Sequence, residues 1–282
     1  MGKLMRHHHA TAARPTCFLR KACAAALVAL AAAAMPQPAV AADNWSKIRP
    51  GLFQDRAIAA DAAQIVELVT PARAQDAAVV PVTIRTRVAQ RPERHISKLY
   101  LIIDKNPAPV AAVFSMTPDL GRADIETRVR IEEYTDVRVI VEMNDGSLHM
   151  SSNYVKASGG CSAPAGKDPA EATAGMGRMK LALEQSGTLD QPQQVQLMIR
   201  HPNFSGLAMD QVTRLYTPPH FVRHLEVAYN GKRILSAETD ISISENPNFR
   251  FYFVPQREGT LTVEAVDSKD LAYRTSLVVK AN

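Results

Sequence analysis

The sequence predicts an all-β protein of two consecutive β-sandwich domains, and three observations carry that prediction. Apolar residues recur with a period of two through most of the chain, turn formers separate these runs at short intervals, and one segment, 162–174, contains no large apolar residue. A period of two sends successive side chains to opposite faces of a strand, so each run reads as a strand with one buried face.

The chain opens on a leader. Lys3, Arg6, Arg14, Arg20 and Lys21 form a basic stretch with no acidic residue, Ala22 to Ala34 is almost wholly Ala, Leu and Val, and Pro36 and Pro38 break the run before the small residues Ala39-Val40-Ala41-Ala42. This predicts a Sec-type signal peptide over 1–42, cleaved near Ala41 or Ala42, and a periplasmic protein without a membrane anchor. The apolar run, about 13 residues, is too short to span a bilayer. Cys17, Cys23 and the triplet His7-His8-His9 fall in this leader and are lost with it, so the triplet is no metal site.

Charge points away from nucleic acid. Of the 33 Lys and Arg residues five fall in the leader, leaving 28 to match the 28 Asp and Glu. The basic character of the whole chain belongs to the leader and gives no nucleic-acid footprint.

After a lead-in (43–63), where Leu52, Phe53, Ile58, Ala59 and Ala62 suggest a short amphipathic helix preceded by Pro50-Gly51, the period changes to two. Val80, Val82 and Ile84 alternate with polar or small neighbours. Runs follow at Leu99–Ile103, Val110–Phe114, Ile125–Ile131, Val137–Val141 and Leu148–Val155, parted by Asp104-Lys105-Asn106-Pro107, Thr117-Pro118-Asp119 and Asn144-Asp145-Gly146. Asp-Gly between strands predicts a type I′ hairpin. The first domain then spans 43–161 and the linker 162–174, in which Asp168-Pro169-Ala170-Glu171 can cap one helical turn before Gly175 and Gly177 stop it. In the second domain, 175–282, Val195, Leu197 and Ile199 share a face, as do Leu225, Val227 and Tyr229, Phe249, Phe251 and Phe253, and Leu261, Val263 and Ala265; Asn230-Gly231 turns a hairpin.

Cys161 is the single cysteine beyond the leader, in Ser158-Gly159-Gly160-Cys161-Ser162. An exported chain with one thiol closes no internal disulfide. Gly159 and Gly160 offer no side chains to bury it, which predicts an exposed, reactive thiol on a flexible arm, with Lys156 and Lys167 placed to favour ionisation. Of the five histidines beyond the leader, His220 and His224 have helical ligand spacing, but on a strand they stand about 13 Å apart, too far for one metal. These two, His95, His149 and His201 read as surface or packing residues, and no metal or cofactor is expected. No Gly-x-Ser-x-Gly elbow, phosphate-cradling loop or paired-carboxylate signature occurs, so no enzyme activity is expected; a thiol oxidoreductase would need an external resolving thiol.

The first half resembles SoxY, the sulfur-carrying subunit of periplasmic thiosulfate oxidation, through Asp76–Pro81 (DAAVVP), Ile103–Pro109 (IDKNPAP) and Tyr154–Cys161 (YVKASGGC). The second resembles its partner SoxZ through His201-Pro202-Asn203-Phe204-Ser205-Gly206, Pro219-His220-Phe221, Tyr229-Asn230-Gly231 and Asn246-Pro247-Asn248-Phe249-Arg250-Phe251. The whole is similar to the fused SoxYZ-like carriers associated with quinoprotein alcohol dehydrogenases. The resemblance implies immunoglobulin-like sandwiches packed together, a group held covalently on Cys161, mobility from Gly159 and Gly160, and partners among Sox-type cytochromes or a quinoprotein dehydrogenase system. A second reading from the same resemblance is a docking module for that dehydrogenase or its cytochrome, with an incidental thiol. In SoxY the cysteine lies in a terminal Gly-Gly-Cys-Gly-Gly; here Ser162-Ala163 follows and the loop is tethered at both ends.

Overall fold

The computed structural model describes Gly2 and residues 44–60, 62–163, 169–184, 188–210 and 213–280. The expected signal peptide and part of the expected linker, 164–168 with Lys167, lie outside the described residues.

The first element among the described residues is helix α1, Trp45–Phe53. Trp45, Ile48, Leu52 and Phe53 fall on one face and pack on Ile102, Ile140 and Leu148. The sequence placed this helix later in the chain. It ends at Phe53 because Gln54 takes φ 53°, and Ile58 and Ala59, expected in the helix, pair instead with Leu148 and His149. Trp45 also lies under the Arg138 guanidinium, 5.0 Å from the ring centroid.

Among the described residues fifteen strands follow: β1 (Ile58–Ala59), β2 (Val66–Val69), β3 (Val80–Thr86), β4 (Ile96–Ile103), β5 (Val110–Met116), β6 (Ile125–Val129), β7 (Thr135–Met143) and β8 (Leu148–Val155), then β9 (Met179–Leu183), β10 (Gln193–Ile199), β11 (Val222–Tyr229), β12 (Lys232–Thr239), β13 (Asn248–Phe253), β14 (Gly259–Asp267) and β15 (Ala272–Val279). Between β8 and β9 lies the short helix α2, Pro169–Thr173, at the predicted place, with Gly175 and Gly177 at positive φ beyond it. Among the described residues no helix is long and apolar enough to cross a membrane.

The strands form two sheets, ordered β1-β8-β7-β4-β5-β12-β11-β14-β15 and β2-β3-β6-β13-β10-β9. Each half of the chain is therefore a two-layer sandwich, with five and three strands before α2 and four and three after it. The halves join edge to edge. β5 pairs with β12 from Ala112↔Thr239 to Met116↔Leu235, and β6 meets β13 at Glu126↔Arg250, where the side chains form an ion pair at 3.2 Å. Pairing removes two open sheet edges that each half would expose alone. Residues Asn44–Asn282 thus form one unit, and one apolar core runs between the sheets across the seam, where Phe114 meets Phe249 edge to face at 6.1 Å. Phe249, Phe251 and Phe253, on the shared face the sequence indicated, are all buried; each contributes roughly 1.5–3 kcal/mol.

The two hairpins differ. Asn230 and Gly231 both take positive φ (50° and 79°), as a type I′ turn requires. At Asp145-Gly146 only Gly146 does, so the expected type I′ turn is not formed. The Asp145 carboxylate instead accepts the Ser147 N–H at 2.8 Å and the Ser147 hydroxyl at 2.7 Å, and the loop closes through Met143 N–H to Ser147 O.

Candidate functional site

Cys161 lies at the seam between the halves, and three other stretches that carry the family resemblance, Asp76–Pro81, Ile103–Pro109 and His201–Gly206, meet around it. Beyond β6 the chain runs through Arg130, Ile131 and Glu132. Asn106, from the Ile103–Pro109 stretch, braces this run: its amide donates to Arg130 O at 2.7 Å and to the Ser242 hydroxyl at 2.9 Å, and its oxygen accepts the Glu132 N–H at 2.9 Å. Ala77, from the Asp76–Pro81 stretch, accepts the Ile131 N–H at 2.9 Å. The Cys161 segment lies against this frame. Gly159 N–H donates to Glu132 O at 2.8 Å and Gly160 N–H to Ile131 O at 2.9 Å.

The expectation of an exposed thiol is overturned, since Cys161 is 1% exposed. The two glycines are the reason. Gly159 takes φ 79°, and a Cβ on Gly160 would stand 2.0 Å from Ala77 O and 2.8 Å from the Ile131 nitrogen. The absence of side chains lets the backbone lie flush on Ala77 and Ile131, and so lets the thiol sink. Gly160→Ala is accordingly expected to push this segment off the frame and cost about 1–3 kcal/mol, read as a lower melting temperature. An unchanged one would mean that the contact with Ala77 is not tight in solution.

Side chains fix the loop from both halves. The Glu132 carboxylate accepts the Cys161 N–H at 2.9 Å, the Ser162 N–H at 3.0 Å and the Ser162 hydroxyl at 2.7 Å. From the second half, the Ser205 hydroxyl donates to Cys161 O at 2.5 Å. Arg130 is buried behind the loop and donates to Ile243 O at 2.7 Å and Ile241 O at 3.2 Å. A cavity of about 260 Å³ opens beside the thiol, lined among others by Asp76, Arg130, Cys161, Phe204, Ser205 and Glu245.

Burial pushes the Cys161 thiol up to about 12; the Glu132 charge adds to this and the Arg130 charge opposes it. In this conformation the sulfur is a protonated, weak nucleophile. Arg130 is the cation that acts on it; Lys156, expected to help, is exposed, and its backbone forms a β-bridge with Arg73. Sequence reasoning missed Arg130, Glu132 and Ser205. For Ser205 a signal existed, because it stands in the His201–Gly206 stretch. Glu132 is 29 residues from Cys161, and no local pattern joins them.

A second buried cluster lies behind the same stretch. His220 Nε2 is 2.7 Å from Asp267 Oδ2, the Tyr273 hydroxyl donates to the same oxygen at 2.7 Å, and His201 Nε2 lies 3.5 Å from it. The sequence set His220 and His224 about 13 Å apart on a strand; the fold brings His220 to His201 instead, their rings 4.8 Å apart, and leaves His224 beside Glu238. His201, His220 and Asp267 present ligand atoms within 4.8 Å of one another. Their hydrogen bonds are those of a structural network, however. The Asn203 N–H donates to His201 Nδ1 at 3.0 Å, which leaves the ring proton on Nε2, facing Asp267. To ligate through Nε2, the atom that faces Asp267, His201 needs the opposite, a free Nε2 and a proton on Nδ1. Burial, then His220, lowers His201 to about 4. Burial works to raise Asp267, but hydrogen bonds from Tyr273, His220 and the Leu271 and Lys269 amides outweigh it and hold the carboxyl at about 2.

Comparisons with known proteins match both halves. The family model for sulfur oxidation protein SoxY matches residues 49–161, and that for sulphur oxidation protein SoxZ matches residues 181–278. No curated protein matches at a significant level. Among solved structures, the sulfur carrier protein SoxY from Chlorobium limicola f thiosulfatophilum is 21% identical over 40% of this chain and 94% of its own, with a TM-score of 0.34. A superoxide reductase (neelaredoxin) from Ignicoccus hospitalis is 12% identical over 35% and 94%, with a TM-score of 0.31. The fibronectin(III)-like modules of Clostridium thermocellum CbhA are 10% identical over 77% and 94%, with a TM-score of 0.23.

Proposed function

The chain belongs to the SoxY and SoxZ sulfur-oxidation families, as a SoxY domain followed by a SoxZ domain, and on that premise we propose that it is a periplasmic, non-enzymatic carrier holding a sulfur-containing group covalently on Cys161. The SoxY match ends on Cys161, the free cysteine among the described residues, and this observation carries the reading. The domains are taken as 43–161 and 175–282 with a linker at 162–174. The SoxZ domain holds the Cys161 loop at the seam and offers it to partner redox enzymes, Sox-type cytochromes first among them. Loading forms an S–S bond between Cys161 Sγ and a cargo sulfur. It releases the thiol proton and removes two electrons, which the partner cytochrome accepts. Gly159 and Gly160 let the segment lie closed and supply the backbone freedom to leave that position.

The deep burial of Cys161 favours one other reading, a module that docks a quinoprotein dehydrogenase or its cytochrome without using the thiol. A Cys161→Ser strain separates the two. The carrier reading predicts loss of sulfur oxidation with the folded protein still present; sulfur oxidation at the wild-type rate would favour docking.

A further inference from the structure

Ser162 is where the chain departs from the glycines that follow the cysteine in SoxY, and it is the residue that completes the contacts around Glu132. We infer that Glu132, Ser162 and Ser205 form a latch that holds the Cys161 loop shut, so that loading and unloading of the thiol require the latch to open. The inference rests on the carrier reading for its purpose, but on geometry for its existence.

Three features support it. One carboxylate takes three donors from two consecutive residues, Cys161 N–H, Ser162 N–H and the Ser162 hydroxyl, at 2.7–3.0 Å; hydrogen bonds to a charged acceptor are the strong ones. The opposite side of the loop is held by the other half of the chain, through the Ser205 hydroxyl on Cys161 O, and that hydroxyl is itself placed by the Leu207 N–H at 3.2 Å. Finally, two of the three latch residues sit at the rim while the sulfur sits within. Ser162 is exposed and Glu132 partly exposed, whereas Ser205 and Cys161 are buried. A partner that competes for the Glu132 carboxylate therefore reaches the latch before it reaches the thiol. With Cys161 1% exposed, a partner cysteine or an oxidant meets the sulfur only by way of the cavity beside it while the loop is shut. Release of these contacts leaves the Gly159 and Gly160 amides on Glu132 O and Ile131 O, and since these residues lie outside the strands the loop can then move without unfolding one.

Ser162→Ala and Ser205→Ala each remove one latch contact and no charge, and Glu132→Ala removes all three carboxylate contacts. Two rates are measured on the full-length protein: alkylation of Cys161 by iodoacetamide, and deuterium exchange of the peptide spanning 157–163. Each serine variant is expected to raise both rates about 10-fold, and Glu132→Ala to raise them further. Removing the Glu132 charge also favours the thiolate, so for that variant the exchange rate is the deciding readout. Wild-type exchange rates in all three variants, with unchanged melting temperatures, would overturn the latch. These rates are read on the isolated protein, so they stand or fall apart from whether an adduct is found on Cys161 in cells.

Discussion

Replacing Asp267 with Ala is expected to destabilise the protein by about 3–5 kcal/mol, the largest effect of any single substitution outside the apolar core. Asp267 is fully buried and carries donors on both oxygens: His220 and Tyr273 on Oδ2, and the Lys269 and Leu271 amides on Oδ1. Removing the carboxylate takes the partner from the buried His220 and from three part-buried donors at once. The same cluster makes the fold acid-sensitive, with a definite sign. His201 is lowered from 6.5 to about 4, so the unfolded chain takes up this proton first as pH falls. The contribution of its neutral ring is complete above about pH 6.5 and is lost between there and pH 4, to the extent of about 3 kcal/mol. Asp267 adds a second loss, below its ordinary 3.8 and down to about 2. Urea unfolding at a series of pH values checks both. A wild-type stability that does not change between pH 7 and 4 would contradict the assignment of His201 as a buried neutral ring. His201→Gln should flatten that part of the curve, and Asp267→Ala should lower it throughout.

Alkylation of Cys161 in the native protein is expected to run about 10³-fold slower near pH 8 than in the urea-unfolded chain, because only the thiolate attacks. The thiol is raised from 9.0 to about 12, so the native rate should go on climbing with pH past 9, where an ordinary thiol levels off. The same shift sets an alkaline limit. The unfolded chain loses this proton first, so the stability contributed by the neutral thiol is complete below about pH 9 and lost as pH rises from 9 towards 12. A native rate equal to the unfolded rate at pH 8 would mean that the loop is open in solution.

Much of the fold was legible because buried and exposed residues alternate. The predicted runs at Leu99–Ile103, Val110–Phe114 and Leu148–Val155 fall within β4, β5 and β8, since one face of each strand packs in the core. β9 and β15 escaped notice. They are edge strands with half-buried faces, so their apolar pattern is diluted, and register with β10 and β14 defines them instead. The helix was misplaced because Ile58 and Ala59, taken as its apolar face, belong to a two-residue strand that only β8 explains. At the site, Cys161 and its glycines were legible from composition. Their conformation was not. Two glycines permit a mobile arm and a closely packed one alike, and the choice is made by Ala77, Ile131 and Glu132, remote in sequence and brought together by β3 and β6.

Intact mass of the protein isolated from the periplasm of sulfur-oxidising cells, without reductant, tests the central claim most directly. If Cys161 carries the cargo, the mature chain shows a mass increment that maps to Cys161, disappears on reduction and is absent from the Cys161→Ser protein. An unmodified mass under every growth condition, together with undiminished sulfur oxidation by the Cys161→Ser strain, would contradict it.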